Sequence, residues 1–519
     1  MAGSDADGQA VLDLLDRTPI RVILPQGTPQ WRHQVLALAL VDLLGRLFPN
    51  LTIAADRAAT AHPDLPPGPA LLTERLHAAA TNGALLTRGT PDRPTVTVII
   101  GTGTRPDNSH GSLLYTDGGG WQSYNGTLPS RLPDGPWPAI PVGPLAAACR
   151  AAGQATTAAL TTVAPTRVPE PSAYASALTH VGSADPIDDS PDATRWAGDD
   201  LILDAALAGA GSVGGAAVYT FAMTPHLSGR LAVADPQRLE DKNLDRALLA
   251  TAATATARHW KVFTVKQALG HHDGLHVDPH QGTLSDWVAN QPWKSPLPLV
   301  LSAVDSAAAR RSLQDCLPLD LVNAACHPDE ITVSGHRTGD GPCLCCLHME
   351  QILDADNAKI RILARATGFD HRTIAQWLVG DPRLQRQVLR QIERHRGLAP
   401  GALDRYENQT LEHLRAGELL YGASELTTAT GTVAVAAPFV TALAGVLLAA
   451  EALKHAHPGL RPYRLGPTGT HIKYEENRHA GPLHALHSIP ARWATSECLC
   501  RSTRRQRLIA ARYGLPAAG

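Results

Sequence analysis

The segment Gly209-Ala-Gly211-Ser-Val-Gly214-Gly215 constrains this chain more than any other. It follows a short apolar run, Asp204–Ala208, that reads as a strand, and leads into Ala216–Met223, which reads as a helix. A second strand is expected at Leu231–Ala234, closed by Asp235, and a third at Leu299–Val304, closed by Asp305. Buried strands alternating with helices make a parallel α/β sheet. Glycines between the first strand and its helix permit a tight turn and let backbone N–H groups approach a phosphate, which the helix N-terminus favours. Asp235 stands 21 residues after Gly214, placed to accept from ribose hydroxyls. Loop and acid alone suit a NAD-dependent dehydrogenase as well as an ATP enzyme.

The same order occurs earlier in the chain. Ile20–Leu24 reads as a strand, Gly27 as a turn, Trp31–Leu47 as a helix, and Leu51–Ala55 as a second strand closed by Asp56. Thr95–Ile100 is a third strand, and Pro144–Ala155 an Ala-rich helix matched near the other end by one led by Pro438. Gln26-Gly27-Thr28 cannot supply a glycine cradle, so residues 20–160 are assigned no nucleotide site. A Pro-, Ser- and Asp-rich stretch from Pro165 to Asp192 reads as a linker. The expected plan is one α/β fold used twice: 1–163 degenerate, 164–194 linker, 195–519 active. The active copy carries a polar insertion with helical spacing at about 348–430.

Composition narrows the function classes. At 519 residues the chain has room for several cores, and Lys+Arg 46 against Asp+Glu 48 leaves no basic field for nucleic acid. Met1–Ala10 is acidic and polar and does not read as a signal peptide. The long apolar run Val433–Ala450 carries Pro438, Thr441 and Gly445 and ends at Glu451 and Lys454, which favours a buried helix over a membrane span. A cytoplasmic protein acting without membrane or nucleic acid is expected.

Residues downstream of Asp235 separate the nucleotide readings. Asn243, Arg246 and Lys261 trail the ribose acid, and Asp305 closes the third strand. An amide and two cations suit a triphosphate, whose departing pyrophosphate needs hydrogen bonds and charge neutralisation, and a strand-end acid suits Mg²⁺.

With these residues the sequence resembles the ThiF/MoeB and ubiquitin-activating superfamily of adenylating enzymes. The resemblance spans roughly Asp199 to Cys500 and rests on GAGSVGG, ADPQRLEDKNLDR, AVDS followed by Arg310-Arg311, GPCLCC, VAVAAPFVTALAGVLLAAEALK and the terminal ECLC. It implies that Gly209, Gly211, Gly214 and Asp235 hold ATP, that Asn243, Arg246 and Lys261 contact its phosphates, and that Asp305 binds Mg²⁺. Arg246, Lys261 and Asp305 are then the catalytic set. The sequence departs from the family at Ala247, where glutamine is usual. TDGGGW and PVGPLAAACRAA in the first half resemble a degenerate copy of the same fold. The resemblance therefore implies two Rossmann-like ThiF-type domains in tandem. Arg17, Arg21 and Arg195 are candidates for a further cation at the ATP site.

Cysteines are sparse and grouped. Cys343 and Cys346 form one close pair and Cys498 and Cys500 another. Four thiolates so arranged suit a tetrahedral structural Zn²⁺ that clamps the C-terminus, with Cys345 or His348 as alternative ligands. Many relatives carry a thioester cysteine before the Ala-rich helix. Here no cysteine lies between Cys346 and Cys498, and the stretch reads Leu426-Thr427-Thr428-Ala429-Thr430, a far poorer nucleophile. Cys149, Cys316 and Cys326 read as small buried hydrophobes. His271, His272, His276 and His280 read as solvated loop residues.

The resemblance implies an ATP-dependent adenylyltransferase that converts a carboxylate to an acyl-adenylate with pyrophosphate release. Its substrate would be the C-terminus of a ubiquitin-like or sulfur-carrier protein, or a ribosomal peptide. A ThiF-like leader-peptide-binding partner without adenylation activity is the second reading, and pairing as a homodimer stays open.

Overall fold

The structure is a computed structural model that describes residues 14–82, 95–101, 111–160, 173–187, 201–292, 295–327, 330–338, 343–347, 360, 363–380, 382–396, 398, 400–414, 425–428, 431–434, 437–465, 470–475, 486–488, 498, 500 and 502–515. The first sheet contains β1 (Ile20–Ile23), β2 (Leu51–Ala54), β3 (Val96–Ile100), β4 (Ser112–Gly119), β5 (Gln122–Gly126), β6 (Ala173–Ser176) and β7 (Val181–Ser183), in the order β2-β1-β3-β4-β5-β6-β7. Its helices include α1 (Trp31–Gly45), α2 (Leu72–Ala80) and α3 (Val142–Leu160).

The second sheet contains β8 (Leu201–Ala208), β9 (Leu227–Ala234), β10 (Leu275–His280), β11 (Leu299–Ser302), β12 (Asp320–His327) and β13 (Glu330–Arg337). With β16 (Thr470–Glu475) and β17 (Leu486–Ser488) the order is β10-β9-β8-β11-β12-β13-β16-β17. The run β2-β1-β3-β4 is parallel throughout, as is β9-β8-β11-β12, and each then meets an antiparallel neighbour, β5 or β13. The chain thus holds two parallel-rich, Rossmann-like α/β sheets, as the alternation of strands and helices implies.

Both sheets lie in one compact unit, Leu15–Leu347 with Ala437–Gly519. Its long helix α9 (Pro438–Ala456) comes from the apolar run, is largely buried and is led by proline at its first turn. Among the described residues it is the one helix long and apolar enough to cross a membrane, and it is buried inside the protein. It packs on α4 (Ser212–Ala222), the helix after the glycine turn, and on α3 of the first half. The α9–α4 approach needs glycine: a Cβ at Gly445 would overlap the Val213 carbonyl oxygen and stand 2.5 Å from the Ala216 methyl.

The described residues between His348 and Ala436 belong to a second compact unit. Here α7 (His371–Gly380) and α8 (Arg386–Arg396) bury Ile374, Leu389 and Ile392 with Leu363, Leu403, Leu411 and Leu414, and β14 (Glu425–Thr428) pairs with β15 (Gly431–Ala434).

Two local expectations are overturned. Within the stretch read as a linker, β6 and β7 extend the first sheet, and buried Tyr174 packs its ring 4.6 Å from that of Tyr124. An aromatic between small residues overrides the surrounding Pro, Ser and Asp. His276 and His280 lie on strand β10 and not in a loop, because that segment pairs in register with β9.

Candidate functional site

The carboxyl ends of β8, β9 and β11 set the frame. The glycine turn begins at Gly209, whose φ of +89° disfavours any side chain, and a Cβ there would stand 2.7 Å from the Ala303 carbonyl oxygen. A Cβ at Gly214 would overlap the Gly209 carbonyl. Gly211 differs: its φ is −76° and a Cβ there would meet nothing within 4 Å. Packing therefore explains Gly209 and Gly214 but not Gly211, which faces open space at the N-terminus of α4. Helix α4 starts at Ser212, earlier than the sequence pattern implied, because Gly214 and Gly215 sit inside its first turns.

Asp235 follows β9 and is buried. Its Oδ2 accepts the Ala210 amide at 2.7 Å and its Oδ1 accepts the Gln237 amide at 2.8 Å. The acid thus ties the glycine turn to the next loop, with lone pairs to spare for hydroxyl donors. Lys261, first residue of α5 (Lys261–Ala268), donates from Nζ to Gln237 Oε1 at 2.6 Å. Burial lowers the Lys261 pKa, opposed by the nearby Asp235 charge; Arg246 also acts on it, in the lowering direction. Asp235, Arg246 and Lys261 therefore share one electrostatic neighbourhood.

Asn243 ends a 3-10 turn, Asp241–Asn243, and its Oδ1 accepts the Glu240 amide at 2.9 Å in a capping box. Arg246, half-buried, reaches Asp245 at 3.5 Å. Asp245 is driven upward by burial, against the pull of Arg246, and its Oδ1 has no hydrogen-bond partner. Asp305 is exposed two residues beyond Ala303, which touches the glycine turn, and its charge acts on buried Arg310 in α6 (Ala307–Asp315). Burial lowers the Arg310 pKa and Asp305 opposes that. The structure joins Asp235, Gln237 and Lys261 by hydrogen bonds and leaves Asp305 outside that chain.

The sulfur atoms of Cys343, Cys346, Cys498 and Cys500 lie within 4.8 Å of one another, with neighbours at 3.7, 3.6 and 3.6 Å. A tetrahedron with Zn–S near 2.3 Å has S···S edges of about 3.8 Å, so the spacing is that of a ligand set able to hold a metal ion. Cys346, and not Cys345, belongs to this set of four. After the second pair, α10 (Thr503–Tyr513) is fastened by Arg512 to the Ser295 and Cys316 carbonyls at 2.6 and 2.7 Å.

Other expected residues have structural roles. Cys149 and Cys316 are buried and Cys326 is half-buried. His271 and His272 reach the Ala222 and Phe221 carbonyls at the C-terminus of α4, at 3.0 and 3.1 Å. Arg17 and Arg21 lie just before and within β1, while Arg195, Ala429, Thr430 and His348 lie outside the described residues. An arginine the sequence reading missed is Arg46, at the end of α1, which bonds across to the segment carrying Arg246. The only sequence signal for it is Asp42 four residues earlier.

Residues 203–498 match the ThiF family. The chain belongs to the ThiF family. The uncharacterized protein y4jF of Sinorhizobium fredii (strain NBRC 101917 / NGR234) is 27% identical over 315 residues, covering 57% of this chain and 55% of that protein. The ThiF-family chain thus spans about half the length of this curated relative. Among solved structures, E. coli MccB with ATP is similar over 58% of this chain and 67% of its own, at 12% identity and TM-score 0.35. The microcin C7 biosynthetic enzyme MccB with N-formylated MccA covers 56% and 64%, at 14% identity and TM-score 0.32.

Proposed function

We propose that this ThiF-family protein is an ATP-dependent adenylyltransferase that activates the C-terminal carboxylate of a ubiquitin-like or sulfur-carrier protein, or of a ribosomal peptide. The observation that carries the reading is the hydrogen-bonded run from the glycine turn through Asp235 and Gln237 to Lys261, with Arg246 acting on the same lysine. A NAD site needs only the turn and the acid; Lys261 and Arg246, acting on one another beside that acid, add positive charge of the kind a triphosphate needs.

In this mechanism the turn amides and the α4 N-terminus receive phosphate while Asp235 accepts from the ribose. The substrate carboxylate oxygen attacks the α-phosphorus. The bond from that phosphorus to the bridging oxygen breaks, and pyrophosphate leaves with the electron pair. Lys261, Arg246 and the Asn243 amide neutralise and hold the departing charge; no protein atom becomes bonded to substrate. The exposed Asp305 carboxylate is a hard oxygen ligand suited to Mg²⁺, which when bound offsets phosphate charge. The four cysteines suit a structural Zn²⁺ and leave no open coordination position for chemistry. With no cysteine between Cys346 and Cys498, the acyl-adenylate passes to an acceptor supplied from outside the chain.

Pyrophosphate exchange into ATP, screened against small proteins and peptides encoded beside the gene, tests the proposal. Exchange that appears with one of them and vanishes in Asp305→Ala and Arg246→Ala supports it. Absence of Mg·ATP binding sinks it and leaves the leader-peptide-binding partner as the reading.

A further inference from the structure

The half without a glycine cradle reaches into the loop that carries Asn243 and Arg246. Arg46 caps the C-terminus of α1 and is buried. Its Nε donates to Asp42 Oδ1 at 2.7 Å, and Asp42 Oδ2 accepts from Asn82 at 2.9 Å, so the guanidinium is held from behind by an acid that is itself held. Ahead of it, Nη1 donates to the Leu244 carbonyl at 2.6 Å, and Nη2 to those of Leu248 and Ala250 at 3.3 and 3.1 Å. The chain leading to Arg46 cannot shift freely, because a Cβ at Gly45 would overlap the Ala80 carbonyl of α2.

The loop depends on this contact. From Asp241 to Ala250 it has only a short 3-10 turn, and its own amides bond to the carbonyls of Glu240, Asp241, Asn243 and Ala247. The carbonyls of Leu244, Leu248 and Ala250 go to one side chain in the other half of the molecule. Buried carbonyls need partners, and a planar guanidinium offers several donors at fixed angles. Tyr219 of the glycine-turn helix lies in the same neighbourhood: burial raises its pKa and the Asp42 charge adds to that.

We propose that Arg46 is a positioning residue for nucleotide phosphates, fixing the backbone from Leu244 to Ala250 so that Arg246 is presented to ATP. The degenerate copy thereby completes the active copy's site from within the same chain. The donors of Arg46 are committed to Asp42 and three carbonyls, so it acts on the site through the backbone it holds. This inference rests on the adenylation reading.

The test uses the full chain with Mg·ATP as the probe, measured by calorimetry, and three variants: Arg46→Lys, Arg246→Ala and the double variant. Lysine keeps the charge beside Asp42 but cannot span three carbonyls. Arg46→Lys should weaken Mg·ATP binding by about tenfold, and the double variant should bind within about twofold of Arg246→Ala alone, since residues acting through one another are not additive. Hydrogen exchange on the nucleotide-free protein gives a second readout. Amides from Asn243 to Ala250 should exchange faster in Arg46→Lys while those of β8 and β9 stay protected. Wild type that binds no Mg·ATP removes the adenylation reading and this proposal together. Wild type that binds, with Arg46→Lys binding equally or with the two substitutions multiplying, removes this proposal alone. Loss of protection throughout both sheets overturns it too, because Arg46 would then hold up the fold and not the loop.

Discussion

The Asp235 carboxylate accepts the Ala210 amide at 2.7 Å, so the acid closing β9 also fixes the glycine turn after β8. In the proposed site, the acid that would bind ribose and the turn that would bind phosphate are mechanically one piece. Asp235→Ala should therefore impair more than ribose contact. We expect loss of Mg·ATP binding together with about 1–3 kcal/mol of stability, the range for leaving buried donors unpaired. Calorimetry and urea denaturation on the same preparation check both. Unchanged stability would mean the turn stands without the acid.

Three of the four glycines in the segment 209–215 should separate fold from ligand. Gly209→Ala and Gly214→Ala both press a methyl onto backbone carbonyl oxygens and should lower the melting temperature clearly. Gly211→Ala presses on nothing in the protein and should melt as wild type does. It should still weaken Mg·ATP binding, because the methyl would occupy the space a phosphate needs. A Gly211→Ala protein that binds Mg·ATP normally would show that phosphate does not approach there.

Metal content should follow the sulfur geometry. One zinc per chain is expected by elemental analysis, lost in Cys343→Ser or Cys498→Ser and kept in Cys345→Ser, since Cys345 lies outside the four-sulfur cluster. Metal loss should also loosen α10, read as faster proteolysis after Cys500. Zinc retained in Cys343→Ser would put Cys345 among the ligands.

The parts of this fold legible in sequence were those with strong local periodicity. The Ile20, Leu51, Leu201 and Leu299 strands and the Trp31 and Pro438 helices lie near where the apolar pattern put them. The two cysteine groups were visible in their spacing, although the choice between Cys345 and Cys346 was not. Strands β6 and β7 were hidden, because such short strands of mostly small residues carry little period and sat among Pro, Ser and Asp. Arg46 was hidden for another reason: its partners are backbone carbonyls some two hundred positions away, and carbonyls leave no mark in a sequence. The glycine turn could be read, but not which of its glycines the packing requires.

A buried triad ties α9 to the first half and sets an acid limit on stability. His180 Nε2 lies 2.7 Å from Glu451 Oε1 and 2.9 Å from Lys454 Nζ, and Lys454 donates to the same glutamate oxygen at 2.6 Å. Burial, with Lys454 adding, lowers the His180 pKa to about 4; burial also takes His272 and His455 to about 4. For Glu451, burial works upward but Lys454 and His180 outweigh it and hold the group at about 2. A histidine lowered in the folded state binds its proton first in the unfolded chain, so stability falls as pH drops from about 6.5 toward about 4. The glutamate is lowered too, so its contribution holds above about 4.5 and is lost as pH falls toward about 2. Unfolding free energies from urea titrations should thus decline from pH 7 to pH 4, by up to about 1.4 kcal/mol per pH unit for fully buried His180 once below its unfolded value and by less for part-exposed His272. At pH 7, Lys454→Met alone should cost about 3–5 kcal/mol by leaving Glu451 charged and buried, while Glu451→Leu with Lys454→Met should recover much of that. A flat midpoint across pH 7 to 4 would mean these histidines take up protons alike in the folded and unfolded chain.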